Sequence, residues 1–231
     1  MAKFQISIKD YVVSKYFAEF QFKTDHLMVS ENHLHPLSLM RFMDVIIDTE
    51  TTGFDSETDG IISVGIAWRD PETRNINTME WECNPGEECW KGGRAAEALS
   101  VNGYTEEQIA SFPPVEEVAP KVKQFLRELD DKYGIIIHAY NISFDLPFLN
   151  TDIWEMHSEF EWGPCIMIQA KNLWNPYGRW LKLTVAFKRV QPQPNEAEEL
   201  LRCAHSASSD CIMALYVWEH ILKKKEVYRR V

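Results

Sequence analysis

Residues 45 to 53 read Val45-Ile46-Ile47-Asp48-Thr49-Glu50-Thr51-Thr52-Gly53. The apolar run predicts a strand, and residues two apart on a strand project from the same face. Asp48 and Glu50 are therefore held side by side at the strand's end. Two like charges so placed repel one another unless cations neutralise them. Ligands made of oxygen alone favour a hard cation, Mg²⁺ or Mn²⁺. The stretch points to metal-dependent chemistry on an anionic substrate and fixes where further ligands must converge.

Outward from this strand, the pattern alternates. Strand-like runs cover 44–49, 61–68 and 76–83, and helical spacing covers a short stretch near 94–101. A longer helix is predicted over 115–130, where Val115, Val118, Val122, Phe125, Leu126 and Leu129 share one face. Gly134 ends it, and Ile135-Ile136-Ile137-His138 reads as a buried strand. A helix over 145–157, a short strand at 165–168 and helices over 180–188 and 208–224 follow. Three successive strands and then αβα units predict an α/β fold with a mixed five-stranded sheet flanked by helices.

Two further segments carry chemistry. Asn141-Ile142-Ser143-Phe144-Asp145 lies where a strand hands over to a helix, which brings Asp145 to the sheet's carboxyl edge. His205-Ser206-Ala207-Ser208-Ser209-Asp210 precedes a helical run. His205 and Asp210 are five apart and cannot share a helical face. The better arrangement keeps His205 on the loop, caps the helix with Ser206 or Ser208, and seats Asp210 in its first turn.

The three segments resemble the three motifs of the DEDDh group of 3′–5′ exonucleases. Asp48 to Gly53 match D-x-E-T-T-G. Asn141, Phe144 and Asp145 match N-x-x-F-D, and His205, Ala207 and Asp210 match H-x-A-x-x-D. Asn102-Gly103-Tyr104-Thr105 with Phe112-Pro113, and Leu181-Lys182-Leu183, resemble the intervening helical segments. The resemblance covers about 43–222. It implies an RNase H-like fold, two divalent cations, and release of 5′-mononucleotides from a free 3′ end, with DNA favoured over RNA. Asp48 would bridge both ions, Glu50 and Asp210 would complete one site, and Asp145 would serve the other. His205 would take the proton of the attacking water. Thr51, Thr52, Gly53, Phe54, Asn141 and Phe144 would hold the terminal nucleotide. Tyr140 stands where many relatives have His and receives no catalytic role. The alternative is a non-catalytic nucleic-acid-binding or polymerase-accessory subunit on the same fold.

Composition sets the remaining bounds. The chain of 231 residues holds 24 Lys plus Arg against 35 Asp plus Glu, a net −11. That balance argues against a protein that coats nucleic acid through a basic surface, but not against an enzyme that grips only a chain end, where bound metals supply positive charge locally. Five scattered cysteines without a C-x-x-C pair fit a reducing, cytoplasmic setting, and no apolar run has membrane-spanning length. From Trp162 to Asn195 there is no Asp or Glu, yet Lys171, Arg179, Lys182, Lys188 and Arg189 alternate with Trp174, Tyr177 and Trp180. Such interleaving suits a track for single-stranded nucleic acid; core tryptophans with solvated cations are the other reading. Residues 1–42 form an N-terminal extension ahead of the exonuclease domain, 43–231. Its three histidines, His26, His33 and His35, could suggest a metal site, but their irregular spacing favours an exposed loop. Its Pro36-Leu37-Ser38-Leu39-Met40 faintly resembles peptides that hold a sliding clamp, an apolar linker being the other reading.

Overall fold

The computed structural model describes residues 42–229; the expectations for the N-terminal extension lie outside them. Strands β1 (Met43–Thr51), β2 (Ile61–Arg69), β3 (Ile76–Glu82) and β4 (Ile135–His138) form one sheet in the order β3-β2-β1-β4. The first three pair antiparallel and β4 joins β1 parallel, so the sheet is mixed. Helices α1 (Glu87–Trp90), α2 (Ala96–Asn102), α3 (Glu106–Ser111) and α4 (Val115–Tyr133) lie between β3 and β4. After β4 come α5 (Ile142–Leu149), α6 (Met156–Glu159), α7 (Ile166–Trp174), α8 (Leu183–Val190), α9 (Pro194–Arg202) and α10 (Ala207–Arg229).

Strand alternation divides the core. Val45 and Ile47 of β1, with Val64 and Ile66 of β2, pack against Val118, Val122 and Leu126 of α4. Ile46 and Ala67 face the other way, onto Ile166, Phe187, Met213 and Trp218 of α7, α8 and α10. Both faces of the sheet are thus covered, which is why β2 is buried over Ile61–Trp68. Asp48 and Glu50 continue the Ile46 row, on the α10 side.

On that side, Asp48 pairs with Gly65 and Glu50 with Ser63. Gly65 is required by a close approach: a Cβ there would stand 2.4 Å from the Ala207 carbonyl carbon and 2.7 Å from the Ser208 nitrogen. The bare strand lets the start of α10 sit directly on β2. Asp210 thereby comes alongside Asp48.

Several boundaries differ from expectation. Only four strands form among the described residues. The apolar run at 165–168 is not a fifth strand but the start of α7, where Ile166 and Ala170, one helical turn apart, are buried. A short apolar run cannot distinguish a strand from a buried helix. The fifth position is held by one parallel bridge between Ile137 and Trp162. Ile137 N–H donates to Glu161 O at 2.9 Å, and Gly163 N–H donates to Ile137 O at 2.8 Å. The helix expected over 145–157 starts at Ile142 and stops at Leu149, before a turn and α6. Helix α9, opened by Pro194 at its N-terminus, was not anticipated.

Candidate active site

Three segments distant in sequence meet at one sheet edge. Asp48 and Glu50 end β1, Asp145 lies in the first turn of α5, Asp210 lies in the first turn of α10, and His205 sits on the loop before it. All five line one cleft of about 190 Å³, with Thr49, Tyr140, Asn141, Phe144 and Leu183. None of these lining residues is a Lys or Arg.

Each side chain is held by local chemistry. Asp145 is buried, and its Oδ1 accepts from the Thr49 backbone N–H and the Thr49 hydroxyl, each at 3.0 Å. Ser206 caps α10: its Oγ accepts from Ser209 N–H at 3.4 Å, and its carbonyl from Asp210 N–H at 3.0 Å. His205 adopts a left-handed φ of 72°, which turns the chain sharply before the helix. Its backbone N–H donates to Asp210 Oδ1 at 3.3 Å. The pair predicted to bracket the helix start is thus tied together at that start.

One carboxylate oxygen from each of Asp48, Glu50 and Asp210 lies within 4.8 Å of the others. Burial, and then the neighbouring carboxylates, push the Asp48 carboxyl well above the usual range. The same causes raise Glu50 to about 8. Asp145 rises to about 7, burial outweighing its bonds from Thr49. Asp210 is raised by burial as well. Four carboxylates crowded in this way, with no cation among the lining residues, form an oxygen donor set suited to hard divalent ions. The residues fit the cations that the sequence implies.

The six residues expected to hold a terminal nucleotide divide. Asn141 and Phe144 line the cleft. Thr51 and Thr52 are buried, and their hydroxyls serve the turn: Thr51 Oγ1 donates to Gly53 O at 2.6 Å, and Thr52 Oγ1 accepts from Gly60 N–H at 2.9 Å. At Gly53 a Cβ would lie 2.2 Å from an Asp59 carboxylate oxygen, so this glycine accommodates the turn itself. Phe54 is 78% exposed and meets Phe144 edge-on, ring centroids 6.3 Å apart. The Tyr140 hydroxyl donates to Leu181 O at 2.7 Å.

Two neighbours escaped the sequence reading. Thr49 lies between the paired acids and supplies the donors that a buried carboxylate needs. Glu80 of β3 pairs with Gly65, which pairs with Asp48, so the three lie in one row across the sheet. Glu80 accepts from Ser208 N–H at 3.3 Å, a negative charge at the start of α10, and adds to the field on Asp48 and Glu50. The alternation of β3 shows which way Glu80 points, but only the strand register shows that it lies opposite Asp48.

Comparison with known proteins bears on this arrangement. The RNase T family model, described as an exonuclease, matches residues 45–218. The chain belongs to this exonuclease family. Its exonuclease domain holds all five converging residues. Among curated proteins, the PolC-type DNA polymerase III of Caldanaerobacter subterraneus is 28% identical over 107 residues, 46% of this chain and 7% of the polymerase. That of Clostridium perfringens is 26% identical over 113 residues, 48% of this chain and again 7% of the polymerase. Among solved structures, E. coli Exonuclease I in complex with a dA16 oligonucleotide superposes with a TM-score of 0.57 at 17% identity. The match covers 80% of this chain and 41% of that one. A 3′-exonuclease that recognises a histone mRNA stem-loop gives 0.55 at 22% identity, covering 79% and 82%. The fold of the exonuclease domain is accordingly α/β and RNase H-like. Among the described residues no helix is long and apolar enough to cross a membrane.

Proposed function

We propose that the exonuclease domain is a metal-dependent 3′–5′ exonuclease that removes 5′-mononucleotides from the 3′ end of nucleic acid, DNA before RNA. The observation that carries this reading is the meeting of Asp48, Glu50, Asp145, Asp210 and His205 in one cleft. Asp48 would hold both of two divalent cations, Mg²⁺ or Mn²⁺, with Glu50 and Asp210 completing one site and Asp145 the other. Such ions, when bound, stabilise the attacking and leaving oxygens of an in-line phosphoryl displacement. His205 takes the proton from the attacking water as its oxygen bonds to phosphorus. The bond from phosphorus to the 3′ oxygen breaks, and the shortened strand keeps a 3′-hydroxyl once that oxygen is protonated. Thr49 holds Asp145 in place through both its donors. Phe54 and Phe144 offer apolar surface to the terminal base.

The alternative, a binding or accessory subunit that does not cleave, is disfavoured because each of the five groups is present and directed to the same cleft. Likeness to the PolC-type polymerases supports a polymerase as the partner class. The discriminating experiment incubates the protein with linear and circular single-stranded DNA, duplex DNA and RNA, in Mg²⁺ and in EDTA. The exonuclease reading expects metal-dependent shortening of linear strands and intact circles. Retention of DNA in EDTA with no cleavage in Mg²⁺ supports the binding subunit, and cleavage of circles an endonuclease.

A further inference from the structure

We propose that the turn joining α7 to α8, residues 175–182, is a docking platform for the unpaired nucleotides that precede the 3′ end. The inference rests on the exonuclease reading and adds to it a binding surface outside the catalytic cleft.

Four observations converge on this turn. The first is charge. In a chain of net −11, residues 162–195 contain no Asp or Glu and five Lys or Arg. A polyanion repelled elsewhere is drawn here.

The second is exposure. Trp174 packs on His220, ring centroids 5.4 Å apart, and on the core beneath α10. Tyr177, by contrast, is fully exposed and Trp180 is 54% exposed. The two readings of this segment therefore apply to different residues: Trp174 is structural, whereas Tyr177 and Trp180 face solvent. Lys171 Nζ stands 4.5 Å from the centre of the Trp180 ring, which sets a cation beside the indole.

The third is order within the turn. Asn175 Nδ2 donates to Arg179 O at 2.9 Å, Gly178 N–H donates to Asn175 O at 3.0 Å, and Arg189 donates to Trp174 O at 3.1 Å. A pinned turn presents its aromatic rings without a large ordering cost on binding.

The fourth is continuity with the cleft. Leu181, next to Trp180, accepts the hydrogen bond of Tyr140, and both Tyr140 and Leu183 line the catalytic cleft. Trp180 is three residues from Leu183, a path of at most about 11 Å. That reach corresponds to about three nucleotides at a stacked spacing of ~3.4 Å. Exposed rings for stacking beside cations for phosphates are the elements of a single-strand track.

The test uses the full chain and Tyr177→Ala, Trp180→Ala and the double change Arg179→Ala with Lys182→Ala. Binding of a fluorescein-labelled oligothymidylate of about 12 nucleotides is read by anisotropy in EDTA, and a blunt DNA duplex of the same length is read beside it. Hydrolysis of the p-nitrophenyl ester of thymidine 5′-monophosphate, which is too small to reach the turn, is measured in Mg²⁺. Either aromatic change should weaken single-strand binding about tenfold and leave duplex binding and ester hydrolysis as in wild type. The double cation change should lower the slope of log affinity against log salt by about 1.4. Unchanged single-strand binding by both aromatic variants overturns the platform. So does an equal loss for duplex and single strand, or a parallel loss of ester hydrolysis. Tyr177 is fully exposed, so its substitution reports on docking even if Trp180→Ala disturbs the turn. If wild type hydrolyses neither ester nor oligonucleotide, the exonuclease reading fails, while the anisotropy still decides the platform.

Discussion

Asp145 Oδ1 accepts two hydrogen bonds from Thr49, one from the backbone N–H and one from the hydroxyl, each 3.0 Å long. They join the end of β1 to the first turn of α5 across 96 residues of chain and orient a carboxylate that is otherwise buried. Groups that orient metal-binding carboxylates typically contribute 10–100-fold to affinity or activity. Thr49→Val keeps the shape and the backbone donor but removes the hydroxyl. It should lower turnover about tenfold and raise the Mg²⁺ concentration needed for half-maximal rate, while Thr49→Ser restores both. Metal-titrated kinetics of the three proteins checks this; a Val variant equal to wild type contradicts it.

The crowded carboxylates predict how stability depends on pH. Glu50 and Asp145 are raised to about 8 and about 7 by burial and by their neighbours. Between the ordinary carboxylate range and those values the folded, metal-free protein binds more protons than the unfolded chain. Its stability is therefore fully present below that range and declines as pH rises through it to about 8. Divalent cations favour the ionised carboxylates, so the rise in Tm on adding Mg²⁺ should be larger at pH 8.5 than at pH 6. Thermal melts at both pH values with and without Mg²⁺ decide it. A metal shift independent of pH, or metal-free stability that increases over this window, runs against the account.

Gly65 supports the site from behind. A Cβ there would meet the Ala207 carbonyl oxygen at 2.5 Å and the Ser208 nitrogen at 2.7 Å, and backbone cannot rotate away as a side chain can. Gly65→Ala should destabilise the fold by about 1–3 kcal/mol and displace the start of α10 that carries Asp210. Urea denaturation and turnover should both suffer; a variant unchanged in both would mean that α10 does not rest on β2 at this point.

His205 is assigned proton transfer, not metal binding. His205→Asn suits the left-handed backbone, since Asn tolerates positive φ. Turnover should fall by roughly 10²–10⁴, and the Mg²⁺-induced rise in Tm should persist. If the substitution abolishes that rise, His205 is a ligand and the general-base role fails.

Much of the fold and of the site was legible because periodicity and capping act locally. Alternation along β1 is sufficient to set Asp48 and Glu50 on one face, and the serine-rich start of α10 to separate His205 from Asp210. What stayed hidden depends on register and on who meets whom. Glu80 joins the site only because β3, β2 and β1 align Glu80, Gly65 and Asp48. Gly65 reads as an ordinary strand glycine until the helix that crosses it is known. Thr51 and Thr52 match a nucleotide-pocket motif, yet their hydroxyls close the turn with Gly53 and Gly60. The run at 165–168 is apolar enough for either a strand or a buried helix, and packing against the α10 face makes it a helix.

The most direct test of the central claim follows one oligonucleotide labelled at either end, incubated with the full chain and Mg²⁺. The account predicts immediate release of the 3′ label as a 5′-mononucleotide and stepwise shortening of the 5′-labelled strand. EDTA and Asp48→Asn should each abolish both. Folded wild-type protein that releases no nucleotide, or that releases the 5′ label first, would contradict it.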